Sequence, residues 1–313
     1  MIVRERPPGW RLFLVLRGSV LKRIRTTLLL NTLLAVLVTL AHGSLFSVKI
    51  TLTPIPFTLM GLPLAIFLGF RNTTAYDRYW EARKLWGELV LRTRNLTRQC
   101  LSLLDIPAVP DPTRRAEDVR VRMLHRAIAF VHALRLQLRG QRDDALLQRW
   151  TTAPEFERVR AATNPADALM LAMGRDLGDC VRQRLIDPCL AAEIDQTLSA
   201  LTAAAASCER IRNTPIPFSY TLLLHRTAYM YCFLLPFGLV DTTGFMTPFV
   251  VAIVAYTFFG LDALGDEIEE PFGLETNDLP LDTLCRAIEI QVREALGETG
   301  LPPALEPVNF QLS

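Results

Sequence analysis

Residues 26 to 48 read Thr26-Thr27-Leu28-Leu29-Leu30-Asn31-Thr32-Leu33-Leu34-Ala35-Val36-Leu37-Val38-Thr39-Leu40-Ala41-His42-Gly43-Ser44-Leu45-Phe46-Ser47-Val48, with no Asp, Glu, Lys or Arg among them. At about 1.5 Å per residue, a helix of this length covers a hydrocarbon core of roughly 30 Å. The nine Leu and Val side chains between Leu28 and Ala41 favour insertion by about 3–5 kcal/mol in total. The stretch is expected to span a membrane.

Three more apolar stretches follow. Ile50 to Phe70 carries no charge, and its helix is expected to start near Pro56. Pro217 to Val240 is interrupted by His225 and Arg226, so that helix is expected to begin in water and enter lipid near Arg226, whose long stem can snorkel. Thr242 to Leu261 is again uncharged, and Asp241-Thr242-Thr243-Gly244 has the composition of a turn before it. Thr-Pro-Ile-Pro-Phe occurs twice, at residues 53–57 and 214–218, each time ahead of an apolar segment. Proline suits a helix start, so the repeat reads as helix-entry chemistry rather than duplication.

Charge orients the set. Arg4, Arg6, Arg11, Arg17, Lys22, Arg23 and Arg25 precede the first stretch, and Arg71, Arg78, Arg83 and Lys84 follow the second. The first interstretch loop offers only Lys49 and the last offers nothing. By the positive-inside rule both termini and residues 71–216 are expected in the cytosol. The layout is therefore a cytosolic segment 1–25, spans one and two in 26–70, a helical cytosolic region 71–216, spans three and four in 217–261, and a cytosolic C-terminal helix and tail 262–313. Half of the 313 residues are apolar while 21% are charged, a mixture that fits a chain divided between bilayer and water. A net charge of +2 demands no nucleic acid as partner. Segment 1–10 lacks an apolar core and does not read as a signal peptide.

The region between the spans reads as helical. Leu62 to Gln99 is expected as one long helix, with Glu88 and Arg92 paired at i,i+4. Further helices are expected over Ala116–Leu138, with a basic face, and over Asp167–Leu185, Leu190–Arg212 and Leu281–Leu296. Leu104–Thr113 and Arg139–Pro154 read as loops, and no strand pattern of useful length appears.

Nothing points to catalysis. His42, His125, His132 and His225 are dispersed, the six cysteines have no metal-ligand spacing, and no glycine-rich phosphate cradle occurs. The cysteines read as small buried hydrophobes. No enzyme, cofactor or metal is expected.

The second span holds a more specific pattern. Leu62, Ile66 and Phe70 recur every four residues along one helix face, beside a small-residue stripe of Gly61, Ala65 and Gly69. Copies of such a helix around an axis would pack by the small stripe and present stacked apolar rings, a constriction able to gate by dewetting. The alternative reading has all of these residues facing lipid or other spans; Leu64 and Leu68 are expected on the lipid side. Beyond Phe70, Asp77, Arg78, Glu81, Arg83 and Lys84 mix signs as an ion-paired network does. The acids of Gly260–Gly273 suit pairing with Arg226 or the basic N-terminal segment, or an oxygen-rich cation site.

Two blocks carry a resemblance. Phe70–Gly87, with Arg71-Asn72 and Ala75-Tyr76-Asp77-Arg78 leading to Trp80-Glu81-Ala82-Arg83-Lys84-Leu85-Trp86-Gly87, and Glu267-Ile268-Glu269-Glu270-Pro271-Phe272-Gly273 resemble the prokaryotic branch of the bestrophin family. Leu16-Arg17-Gly18-Ser19-Val20 and Cys208-Glu209-Arg210-Ile211, continuing to Phe218, match it as well. The resemblance implies an all-α membrane protein with four transmembrane helices per subunit, assembled as a homopentamer around a central pore. It implies a bacterial inner-membrane ion channel passing small monovalent ions. Leu62, Ile66 and Phe70 would form the apolar neck, and Ile186, or alternatively Leu185, a cytosolic exit constriction. The acidic run that binds calcium in animal members is broken here into Glu275, Asp278 and Asp282, so no metal ligands are assigned. The contrasting reading is a membrane-anchored helical scaffold or signalling protein that binds a cytosolic partner.

Overall fold

The computed structural model describes residues 1–3, 9–12, 15, 18–41, 44–45, 48–49, 53–114 and 117–313. Of the residues named above, Arg4, Arg6, Leu16, Arg17, His42, Ile50 and Ala116 lie outside the described residues, as do Gly43, Phe46 and Ser47 of the quoted stretch. Helices dominate: α1 (Gly9–Leu12), α2 (Leu21–Leu40), α3 (Pro54–Leu103), α4 (Val119–Arg139), α5 (Asp144–Trp150), α6 (Ala153–Ala161), α7 (Pro165–Arg182), α8 (Pro188–Asn213), α9 (Phe218–Thr243), α10 (Thr247–Glu269) and α11 (Leu281–Ala295). The first apolar stretch stops being helical at Leu40 and continues as a two-residue antiparallel pair, β1 (Ser44–Leu45) with β2 (Val48–Lys49). The structure also corrects the loop expected over Arg139–Pro154. Asp143 caps Leu146 N to start α5, and Pro154 sits in the first turn of α6.

The chain divides into two compact units. One comprises residues 4–80 and 215–271, and the other residues 1–3, 81–214 and 272–313. Residues 71–80 and 262–271, expected on the cytosolic side, thus belong with the apolar helices.

In the first unit, α2, the start of α3 and the Phe218–Glu269 stretch are long and apolar enough to cross a membrane. The last of these is a hairpin bent at Gly244–Met246, a 3-10 turn whose glycine takes φ +51°. Its two arms run antiparallel. Tyr229 meets Phe259 at 4.7 Å between ring centroids, Leu235 packs with Val251, and the Thr243 and Thr247 hydroxyls stand 2.8 Å apart at the bend. The expected turn at Asp241–Gly244 is therefore displaced by three residues. Helix α2 packs along this hairpin through Ile24, with Cys232, Ala255 and Phe259, and through Ala35, with Leu235 and Val251.

The second unit is built around α4, which is buried on nearly every side. Asp118 caps its start and Gly140, at φ +63°, closes its end. The basic face expected of α4 is spent within the chain. Arg122 and Arg126 both pair with Asp176 from α7, at 2.9 and 2.5 Å, and Arg126 also holds Glu155 of α6. Arg135 and Arg139 converge on Asp282 of α11, which their charges hold below the usual carboxylate range although burial alone would raise it. His125 and His132 face α11 and its flank, near Glu298 and Glu289. The expected Arg92–Glu88 pair forms at 2.6 Å. Five of the six cysteines are buried, and Cys189 alone is exposed. Burial pushes the Cys100, Cys208 and Cys285 thiols up to about 12.

Candidate functional site

Helix α3 has two unlike faces in the first unit. Leu64, Leu68, Arg71 and Ala75 are buried at 3% exposure or less. Leu64 and Leu68 pack with Leu224 and Ala228 of α9, so their expected lipid-facing position is corrected: they are core. Tyr220 of α9 donates its hydroxyl to the Phe67 carbonyl at 3.2 Å, pinning the same stretch. Leu62, Ile66 and Phe70 lie on the opposite face, 67%, 47% and 60% exposed. The ring of Phe70 stands edge-on to Phe67 with centroids 6.3 Å apart. Ile55 and Leu59, 67% and 69% exposed, extend this apolar stripe by two turns. The sequence reading did not name them, although the same three- and four-residue spacing marks them.

The small stripe is shared between purposes. A Cβ added at Gly61 would lie 2.9 Å from the Tyr231 hydroxyl oxygen, so Gly61 admits α9 of its own chain. Gly69 has open space beside it and Ala65 is exposed. Only those two remain available to a neighbouring copy.

Directly behind Phe70 stands a charged cluster. The Arg71 side chain is fully buried, with Nη1 2.8 Å from Asp262 Oδ1, Nη2 against Asp266 and Glu269 at 3.6 Å. His225 Nδ1 lies 2.6 Å from Asp262 Oδ2, Arg23 is 3.5 Å from Asp266, and Glu269 accepts the Ile216 N–H at 3.0 Å. The Arg78 Nε donates to the Glu269 carbonyl at 3.2 Å. Three acids of α10 therefore serve to seat a guanidinium, which favours pairing over the cation-site alternative. Their principal partner is Arg71, with Arg23 of the N-terminal segment as a second, rather than Arg226. Gly265 makes room for this: a Cβ there would stand 3.5 Å from Arg71 Cζ and 2.5 Å from Asn72 Oδ1.

In the second unit, Ile186 is 5% exposed while Leu185 is partly exposed. Arg184, at φ +57°, turns the chain between α7 and α8 here, and Leu190 is 42% exposed one turn into α8. Two of the acids after Phe272, Asp278 and Asp282, are engaged by the chain itself. Asp278 accepts the Glu275 N–H at 2.7 Å, and Asp282 takes the two arginines of α4.

Comparison with known proteins agrees with this architecture. The family model described as Bacterial/Fungal Bestrophin protein matches residues 1–294. A Mesorhizobium japonicum relative, "Voltage-dependent anion channel-forming protein mll4386", is 47% identical over 98% of this chain and 95% of its own length. The Escherichia coli K12 protein "Voltage-dependent anion channel-forming protein YneE" is 42% identical over 98% of both chains. A solved bacterial bestrophin homolog from Klebsiella pneumoniae superposes with a TM-score of 0.82 at 36% identity, over 88% of this chain and all of that one. The two named relatives are called channel-forming proteins rather than enzymes, as expected from the absence of catalytic motifs. A largely helical chain with this length of match has one assignment: it belongs to the bacterial and fungal bestrophin family.

Proposed function

We propose that the chain assembles as a homopentamer in the bacterial inner membrane and conducts small monovalent ions passively through a central pore. Four helical segments cross the bilayer: α2, the first part of α3, α9 and α10. Both termini and the region between α3 and α9 stand in the cytosol. Leu62, Ile66 and Phe70 from each copy form the neck, and Ile186, or its neighbour Leu185, narrows the exit. The carrying observation is the exposed apolar stripe on α3, whose opposite face is locked into its own unit by Leu64, Leu68 and Arg71. A helix held from behind presents its free face to whatever lies in front. The names of the relatives support ion passage.

Stacked apolar rings exclude water, and an ion in a dry constriction costs several kcal/mol. Replacing Leu62, Ile66 and Phe70 together by Ala is expected to raise flux through reconstituted liposomes at least about tenfold, since each ~1.4 kcal/mol of barrier is one decade in rate. A triple variant that assembles like the parent but conducts no faster removes these residues as the constriction. A parent protein that carries no ions in any gradient returns the scaffold reading.

A further inference from the structure

The exposed face of α3 does not end at Phe70. At about 100° per residue, Thr73 and Asp77 fall within the same arc as Leu62, Ile66 and Phe70, and both are exposed. Leu64, Leu68, Arg71 and Ala75 occupy the opposite arc and are buried. The stripe thus runs from apolar to hydroxyl to carboxylate. Thr73 Oγ1 donates to the Gly69 carbonyl at 3.0 Å. Asp77 makes no hydrogen bond or ion pair among the described residues. Of the nearby cations of the same unit, Arg71 faces the α10 carboxylates and Arg78 donates its Nε–H to the Glu269 carbonyl. Asp77 is therefore the first free charge on this face beyond the neck.

We infer that Asp77 sets the charge preference of the pore, forming a ring of carboxylates at the inner mouth of the neck that draws cations and repels anions, in contrast to the anion channels named among the relatives. The inference rests on the pore reading above. Seven residues of helix separate Phe70 from Asp77, about 10 Å along the axis. That is close to the Debye length of ~8 Å at physiological salt, and low-dielectric walls focus the field further into the narrow mouth. Apolar rings carry no charge of their own, so the nearest fixed charge decides which sign of ion reaches them at higher concentration.

The test uses full-length protein in planar bilayers under a potassium chloride gradient, with the reversal potential as readout. The parent is expected to favour potassium, and Asp77→Asn to lower the potassium-to-chloride permeability ratio about tenfold, within the range such fields impose on local ion concentration. Asp77→Glu keeps the charge and is expected to keep the ratio. In 1 M salt, where screening acts within ~3 Å, parent and Asp77→Asn are expected to converge. A merely structural aspartate would show neither the rescue nor the convergence. Asp77→Ser serves as a second neutral variant if Asp77→Asn fails to assemble. A chloride preference in the parent, or a ratio unchanged in both neutral variants, overturns the inference. If the Leu62, Ile66 and Phe70 triple variant still raises flux in that case, the pore reading stands without it. If that variant is also silent, both fall.

Discussion

The two compact units solve burial in opposite ways. Around α4, charged groups lie inside: Arg120, Arg126, Glu155, Asp176 and Glu289 are all buried, each with an ionic partner. In the unit of α2, α9 and α10, large apolar side chains lie outside. Leu33, Leu37 and Leu40 of α2, Leu223 and Met230 of α9, and Phe249 and Ile253 of α10 are at least 50% exposed. A surface of that kind is unfavourable in water and neutral in lipid, where every neighbour is as apolar as leucine. The contrast teaches that burial is governed by the solvent each unit meets. The one buried arginine among the described residues of the apolar unit, Arg71, is correspondingly its most exacting feature.

The largest blow to this contrast is expected from Arg71→Ala. It leaves Asp262 buried without its guanidinium and Asp266 and Glu269 without their shared partner, and stranding one member of a buried ion pair costs about 3–5 kcal/mol. Thermal unfolding in detergent should show a strongly lowered Tm or no folded protein. An unchanged Tm would mean that the apolar unit does not depend on its charged seat. A sharper comparison sets the two faces of α3 against each other. Leu68→Ala opens a cavity and is expected to cost about 2–5 kcal/mol, whereas Ile66→Ala, on the free face, should stay within about 0.5 kcal/mol. Equal losses at the two positions would erase the distinction between faces.

Much of this was legible in advance, and the failures have a common origin. Apolar stretches and the long reach of α3 follow from the lack of charge and proline. Which face of α3 packs does not, because lipid, pore and protein neighbours all accept leucine, so amphipathicity vanishes between Ile55 and Phe70. Leu64 and Leu68 were misassigned for that reason. Polar side chains mark the free face only further along α3, at Thr73 and Asp77. Arg71 reads from the sequence only as one of the positive charges after the second apolar stretch, and its partners stand some 190 residues away, beyond what spacing can reveal. The short helices α5 and α6 lacked periodicity, and their signals were the cap at Asp143 and the proline at Pro154.

The smallest expected effect probes the charged interior of the other unit. His132 is 5% exposed, and its Nε2 stands 3.8 Å from Glu289, too far for a hydrogen bond. Burial holds its imidazole below the ordinary value of 6.5, against the opposing pull of Glu289. The folded state therefore binds fewer protons than the unfolded chain once the unfolded histidine begins to titrate. Stability from this site is complete above pH 6.5 and is lost as pH falls below it. Tm of the parent should drop more between pH 7.5 and 5.5 than that of His132→Asn. Parallel pH profiles would show that this histidine is not held neutral by the fold.

The cysteines have a practical consequence. Five thiols are buried, and three of them titrate near pH 12, so at neutral pH they offer almost no thiolate to an electrophile. Cys189, in the first turn of α8, is exposed. A maleimide dye applied to the folded chain thus finds one handle per copy with no engineered residue. Stepwise photobleaching of single labelled particles then counts the chains in an assembly directly, using chemistry the sequence already carries.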